Sequence, residues 1–258
     1  MKKSIQIIAT AVGLLSGNAA FTQVDSVYIV KGDSVIFYNP NTIDTTSSSD
    51  TTSSSSITDA DGNVYTAVII GTQEWMTENL RTTKYSDGTA IPNVKYDTQW
   101  SNLSTGAWCH YDNYSQYDTV YGKLYNWYAV ETGKLCPTGW HVPTDAEWTV
   151  LTDYLIANGH SGAEGKALKS TFSCFYCIPS GWDYDGNGTD DYGWNGLPCG
   201  SRLSSGVFYI IGESGLWWSS SQINSSNAWS RYLNYYHDIV YRSHRYKKDG
   251  FSVRCLRD

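Results

Sequence analysis

The chain has 258 residues and a formal charge of −7 at neutral pH, with 18 lysines and arginines against 25 aspartates and glutamates. It lacks the basic footprint that phosphate binding needs, so we expect no nucleic-acid partner. The length suits one good-sized domain with additional segments, and aromatic residues make up 15% of the chain, so rigid rings should fill much of its core.

Residues 1–22 have the pattern of an export signal, because two lysines precede an apolar run and small residues follow it. The run is too short to span a bilayer, so we expect no transmembrane segment. Cleavage after Ala20 and cleavage after Thr22 both fit the pattern. Export predicts a secreted or cell-surface protein, in which the six cysteines form disulfides rather than bind metal as thiolates.

Two short segments separate this signal from the main domain. Residues 23–43 contain two runs of strand-forming residues, which predict a β-hairpin. Residues 44–56 consist of Ser, Thr and Asp alone, a composition typical of a flexible linker. We therefore expect one domain over residues 57–258.

Two helices are predicted in this domain. The apolar residues of segment 123–132 are spread around a helical turn, and Gly133 follows as a stop. Thr144 and Glu147 form a capping box, in which each side chain satisfies an exposed backbone N–H. The second helix should therefore cover residues 145–158.

The rest of the domain shows little periodicity. Residues 161–226 are rich in Gly, Asp, Ser and Trp, so we expect ordered loops there. The chain then ends with three strand-like runs, WWSSS, AWSRYLNYY and GFSVRCLRD.

Seven ordered motifs carry a resemblance to a known family: DADGNVY, GTQEWMTENL, YGKLYNWYAV, LCPTGWHVPTDAEW, GTDDYGWNGLP, WWSSS and GFSVRCLRD. Across residues 59–258 they resemble the Fibrobacter succinogenes major paralogous domain. That family is similar to the C-type lectin-like and formylglycine-generating-enzyme-like superfamily. The resemblance implies an α+β fold, a C-type lectin-like domain with two helices, a small antiparallel sheet and a long loop region.

The same resemblance implies a disulfide between Cys136 and Cys255, since the last strand of such a domain runs beside the entry to the second helix. The remaining cysteines are Cys109, Cys174, Cys177 and Cys199. We expect Cys199 to bond Cys174 or Cys177, which form a C-x-x-C pair. Cys109 would then bond the other member of that pair. A redox role for that pair is the rival hypothesis, but redox motifs act at a helix start in a βαβ setting that the sequence does not predict.

The segment DYDGNGTDD, residues 183–191, resembles a calcium loop. Its oxygen ligands stand at positions one, three, five and nine: Asp183, Asp185, Asn187 and Asp191. The twelfth position holds Trp194 instead of a bidentate glutamate, so the segment is not an EF-hand. Calcium is the predicted cofactor, and a loop in which these side chains bond their own backbone is the alternative.

No catalytic motif is present in the sequence, which has no G-x-S-x-G, H-E-x-x-H or phosphate-binding glycine loop. The copper-binding cysteines of the formylglycine-generating relatives find no counterpart by motif. The chain does carry a set of aromatic, amide and guanidinium groups that suits glycan binding. They are Trp182, Trp194, Asn195, Arg202, Trp217, Trp218, Trp229 and Arg231. Core packing is the alternative interpretation of this set.

These observations predict an exported, non-catalytic recognition or adhesion module that binds a glycan or a surface protein through its loops. An exported enzyme on a formylglycine-generating scaffold and a structural cell-surface protein are the alternatives. The sequence leaves the oligomeric state open.

Overall fold

The protein structure, a computed structural model, describes residues 57–171, 181–183 and 186–258, together with three strands nearer the start of the chain. The chain divides into two compact units, Met1–Ser54 and Ser55–Asp258. In the first unit, three strands form an antiparallel sheet: β1 (Gln6–Ala9), β2 (Val27–Lys31) and β3 (Ser34–Tyr38). The predicted linker lies outside the described residues, as do Cys174, Cys177 and Asp185.

Short strands dominate the described part of the second unit. They are β4 (Ile57–Thr58), β5 (Val64–Tyr65), β6 (Ala67–Ile70), β7 (Gln73–Met76), β8 (Trp108–Cys109), β9 (Leu124–Asn126), β10 (Trp140–His141), β11 (Cys199–Arg202), β12 (Phe208–Ile211), β13 (Ser214–Gln222), β14 (Asn227–Asn234), β15 (His237–Tyr246), β16 (Gly250–Phe251) and β17 (Leu256–Arg257). The helices are α1 (Asp97–Ser101), α2 (Asp118–Tyr121), α3 (Trp127–Val130), α4 (Asp145–Leu155) and α5 (Glu164–Leu168).

Most of these strands belong to two sheets. The larger sheet has eight strands in the order β15-β14-β13-β11-β16-β9-β8, with β12 paired to β11. Its strand pairs are antiparallel except for β11 with β13, which run parallel. The smaller sheet has the order β10-β17-β7-β6. The three longest strands, β13 to β15, form a meander at one edge of the larger sheet.

The expected α+β, C-type lectin-like fold with two helices and a small sheet is wrong. The unit is mostly β, and α4 alone among its described helices exceeds five residues. The region that we expected to form loops, residues 161–226, contains α5 and the strands β11 to β13. Strand β13 contains the predicted run WWSSS, whereas β11 was missed because it is buried on both faces and its sequence has no period of two.

The predicted helix over residues 123–132 is also wrong for most of its length. Leu124 and Tyr125 belong to β9, which pairs with β8 and β16, and α3 covers a single turn after it. The chain changes from strand to helix at Asn126, whose side-chain oxygen accepts the N–H of Ala129 and caps α3. A short apolar run that is buried on all sides cannot be told from a helix by its spacing.

The second predicted helix is confirmed at its start. Thr144 accepts the N–H of Glu147, and the Glu147 carboxylate accepts the N–H of Thr144, which completes the capping box. Helix α4 buries Trp148, Leu151 and Leu155 and gives way to a π-helical turn, in which Gly159 has a φ of 95°. The predicted stop at this glycine is therefore in place.

Tryptophan rings and the buried guanidinium of Arg254 form a network in the core. Trp194 packs against Trp217 with a centroid distance of 5.0 Å, and against two further tryptophans of the neighbouring elements. The Arg254 guanidinium lies 3.9 Å from the Trp194 ring and donates to the Asn79 side chain at 2.9 Å. Trp217 donates its indole N–H to the same Asn79 oxygen at 2.8 Å. Burial lowers the pKa of Arg254 to about 10.

The predicted disulfide is confirmed. Cys136 and Cys255 are bonded, with Cα atoms 6.0 Å apart and a sequence separation of 119. The bond joins the segment that precedes α4 to the residue just before the last strand, and both cysteines are buried in the core. Cys109 and Cys199 are free and buried.

Candidate functional site

The structure buries most of the residues that we expected to form a recognition surface. The buried ones are Trp182, Trp194, Arg202, Trp217, Trp218 and Arg231. Asn195 is half-buried, and so is Trp229, whose ring carries the Arg242 guanidinium 3.4 Å from its centroid. Because the indole N–H groups of Trp182 and Trp218 are satisfied by backbone carbonyls, these rings can be buried without cost in hydrogen bonds. The expected exposed rim is therefore replaced by core packing.

The two arginines of that set hold segments of the chain together. Arg202 donates to the carbonyl oxygens of Val94 and Lys95 at 2.6 and 2.7 Å, and to that of Gly206 at 2.7 Å. Arg231 forms an ion pair with Asp145 at 2.6 Å, at the start of α4. Both guanidinium groups are thus occupied by the protein itself.

The predicted calcium ligands do not converge within the described residues, where no group of three acidic, histidine or cysteine side chains is placed to hold a metal. Asp191 faces His160 at 3.7 Å beside α5, and Asp183 donates its N–H to Gly212. The neighbouring Asp190 accepts the N–H of Asn195 at 2.7 Å, as in the alternative in which acidic side chains bond nearby backbone. Asp185 lies outside the described residues, so calcium binding stays a prediction.

The free cysteines and His141 have structural surroundings. Burial raises the pKa of the Cys109 thiol to about 12, and it raises the pKa of Cys199 as well. A thiol with a raised pKa is a poor nucleophile at neutral pH. His141 has both ring nitrogens engaged, one with Asp258 at 2.7 Å and one with Glu147 at 3.0 Å.

A cleft lies elsewhere, where three chain connections meet at one end of the larger sheet. The connections are residues 203–207, 223–226 and 247–249. The main recess has a volume of about 450 Å³, and side recesses of about 290 and 90 Å³ share residues with it. We name this site the Asp249 cleft. Its lining residues include Ser204, Ser205, Tyr209, Asn227, His244, Arg245, Tyr246 and Asp249, with Tyr128 and Lys248 at the side.

Local hydrogen bonds fix the three connections. Gly206, with a φ of 99°, donates to the Leu203 carbonyl and closes the first turn, which Arg202 also holds. The Asn224 side chain accepts two backbone N–H groups in the second turn. Asp249 donates its N–H to the Tyr246 carbonyl at 2.8 Å in the third. The rim of the cleft is therefore a set of rigid turns on a sheet.

Asp249 is a carboxylate at the floor of this cleft. Its residue is 4% exposed, and its Oδ1 accepts the N–H of Ser204 at 2.7 Å. Burial raises the pKa of Asp249 to about 6, and the bond from Ser204 and the charge of Arg245 offset only part of that rise. A buried acid with a perturbed pKa inside a cleft is a marker of function.

The upper part of the cleft offers exposed groups of several kinds. Tyr246 is 60% exposed and Tyr209 is 56% exposed, while His244 and Arg245 are exposed beside them. Ile210 lines the smallest recess with a φ of 60°, an uncommon conformation for a β-branched residue. Such strain is often found at functional sites.

The cleft residues do not belong to the aromatic, amide and guanidinium set that the sequence predicted. The signal available was the turn dipeptide Asp249-Gly250, which separates β15 from β16. The residues just before it are basic and aromatic, so a loop rich in recognition groups could have been inferred there.

Comparison with known families assigns the chain. Residues 68–257 match the sequence model of the Fibrobacter succinogenes major domain. The chain belongs to this family. The match spans both the tryptophan core and the Asp249 cleft of this major domain. No curated protein and no solved structure matches the chain. Among the described helices of the protein, none is long and apolar enough to cross a membrane.

Proposed function

We propose that the protein is an exported, non-catalytic recognition module that binds a glycan in the Asp249 cleft. The observation that carries this proposal is the cleft itself, in which a buried carboxylate lies beneath exposed tyrosines and an exposed arginine. Turns on a rigid sheet are where binding groups commonly stand. A concave site with a few convergent polar groups is the default form of a binding site.

The chemistry of the lining supports a glycan. Sugar hydroxyls both donate and accept hydrogen bonds, and the cleft offers the carboxylate of Asp249, the amide of Asn227 and the guanidinium of Arg245. The C–H faces of a sugar pack well against rings such as Tyr246 and Tyr209. Mixtures of Tyr, Ser, Asn and Arg are also typical of adaptable binding surfaces.

The surroundings of the titratable groups favour binding over catalysis. The free thiols in the described part of the chain are buried with raised pKa values, and His141 is held between two carboxylates. These groups do not form a nucleophile with an adjacent base. The enzyme alternative would gain support from turnover that a single Cys or His substitution abolishes while the fold is kept.

The cellular location is part of the proposal. The export pattern in residues 1–22 and the disulfide between Cys136 and Cys255 both fit an oxidising compartment. Fractionation of the producing cells, with the protein found outside the cytoplasm and its disulfide formed, is the result that we expect.

A glycan array with the purified exported protein tests the function. Tyr246→Ala should weaken binding about 5- to 150-fold if this ring is an anchor, since loss of such a contact costs about 1–3 kcal/mol. Tyr114→Ala is the matched control, because Tyr114 is 59% exposed and does not line the described recesses of the cleft. Binding to proteins alone, or no glycan bound at all, would reject the proposed ligand class.

A further inference from the structure

The Asp249 carboxylate is placed to act on a ligand. We propose that the ligand is a neutral polyhydroxylated sugar, whose hydroxyl groups donate to ionised Asp249, and that acidification therefore releases it. This inference rests on the proposed function, because it specifies the ligand class and the control of the same cleft.

The geometry leaves the carboxylate with spare accepting capacity. An ionised carboxylate has about four acceptor positions. Asp249 accepts the N–H of Ser204 at 2.7 Å, and hydrogen bonds from the Ser204 side chain and the Tyr246 backbone also lower its pKa, so about one position is open to a ligand. The residue lines both the main recess and the smallest one. A buried charge is unfavourable unless its hydrogen-bonding positions are filled, so a further donor supplied by a ligand would stabilise it. Hydroxyl groups are donors that fit such a recess.

The charges around the cleft favour a neutral ligand. Arg245 lies near Asp249 and offsets part of its charge, so the floor and the rim carry opposite signs. An anionic ligand would meet the carboxylate, and a cationic one would meet the guanidinium. A ligand without charge can use both groups as hydrogen-bond partners.

Of the other charged and titratable groups near Asp249, some are held by hydrogen bonds to other parts of the protein, and one serves as the control for the pH effect. Lys248 donates to the Ser101 carbonyl at 2.7 Å, and Lys247 to the Gln222 side chain at 2.9 Å. The groups that remain around the cleft are Tyr128 of α3, Arg202 of β11, Tyr209 of β12, and His244, Arg245 and Tyr246 of β15. Arg202 is held by backbone carbonyls and by Asp97. His244 is the imidazole in the cleft, so it is the control for a pH effect.

The sign of the pH dependence follows from burial. Burial raises the pKa of Asp249 to about 6, so the free cleft takes up a proton in mildly acidic solution. Hydroxyl donors favour the charged form, so sugar binding lowers this pKa and releases the proton. At pH 5.0 about one molecule in ten is ionised, so the apparent affinity should fall about tenfold from its value at pH 7.5.

The test uses the full exported chain on an array of neutral, acidic and amino-sugar glycans at pH 7.5 and 5.0, with calorimetry on the strongest neutral glycan. We expect binding at pH 7.5 and about tenfold weaker binding at pH 5.0. Asp249→Asn keeps an oxygen for the Ser204 N–H but should lose at least tenfold in affinity and lose the pH dependence. His244→Asn should keep that dependence. Carbon NMR of Asp249 should show its titration moving to lower pH when the glycan is added.

The outcomes separate the two proposals. Failure to bind any glycan at either pH removes the proposed function and this inference together. A neutral glycan that binds equally at both pH values, or that Asp249→Asn binds like the wild type, leaves the function standing and overturns the inference. Binding restricted to acidic or amino sugars would also leave the function standing and overturn the inference. If the variant does not fold, the NMR titration of the wild-type protein decides, since an unmoved Asp249 titration contradicts the inference.

Discussion

Asp249 should lower the stability of the domain at neutral pH. The residue is 4% exposed, and burial raises its pKa from the ordinary 3.8 to about 6. Replacing it with asparagine removes the charge but keeps an oxygen that can accept the Ser204 N–H. We therefore expect Asp249→Asn to unfold at a higher temperature than the wild type at pH 7.5.

The magnitude follows from linkage between proton binding and folding. Below pH 3.8 Asp249 is protonated in both states, so it has no effect on the pH dependence. As the pH rises from there to about 6, the unfolded chain ionises this group while the folded chain keeps its proton, and the free energy of unfolding falls. The difference between the two pKa values corresponds to about 3 kcal/mol, present in full above pH 6.

Urea denaturation of both proteins between pH 3.5 and 8 measures this difference. The variant should gain up to about 3 kcal/mol above pH 6 and converge with the wild type near pH 4. Asp153→Asn, which changes an exposed carboxylate of α4, is the control and should give curves that stay together. A variant that is less stable at pH 7.5, or whose difference from the wild type does not vary with pH, would refute the reasoning.

Further predictions concern the scaffold and the loops. Double substitution of Cys136 and Cys255 by serine should lower the free energy of unfolding by up to about 5 kcal/mol, measured in urea, since the bond spans 119 positions. Arg202→Ala should cost about 3–5 kcal/mol in the same assay, because buried carbonyls lose their donor. Tyr246→Ala should leave the melting temperature unchanged within about 1 °C, because this ring is exposed. If the loop of residues 183–191 binds calcium, millimolar calcium should raise the melting temperature, and Asp185→Ala should abolish the rise.

Local signals in the sequence predicted local structure well. The capping box of Thr144 and Glu147 is formed by residues three positions apart, so its geometry depends on little else. The disulfide followed from family resemblance rather than from spacing.

The strands of the larger sheet could not be predicted in the same way. The predicted strand-like runs are confirmed in part, since WWSSS lies in β13, AWSRYLNYY covers most of β14 and GFSVRCLRD contains β16 and β17. Strand β11 was missed because it is buried on both faces, so no alternation marks it. The segment of β9 carries the same residue types that would build a buried helix. Only pairing with distant strands decides between these conformations, and that information is not local.

The recognition residues were misassigned for a related reason. The residue type of a tryptophan or arginine does not show whether the side chain faces a ligand or the core. Arg202 bonds with Val94 and Lys95, more than one hundred positions earlier, and those partners decide its role. Asp249 was overlooked because a single aspartate before a glycine is typical of any turn.

The family motifs form the core of the domain, whereas the cleft is formed largely by residues outside these motifs. Asn79, Trp194, Trp217 and Arg254 come from four different motifs, and they meet in one buried network. The cleft residues, apart from Tyr128 and Phe251, lie between the motifs and not within them. Substitutions in the motifs should therefore act on folding, whereas substitutions in the turns around Asp249 should act on binding. Family membership accordingly identifies a scaffold, and the ligand has to be inferred from the turns that this scaffold carries.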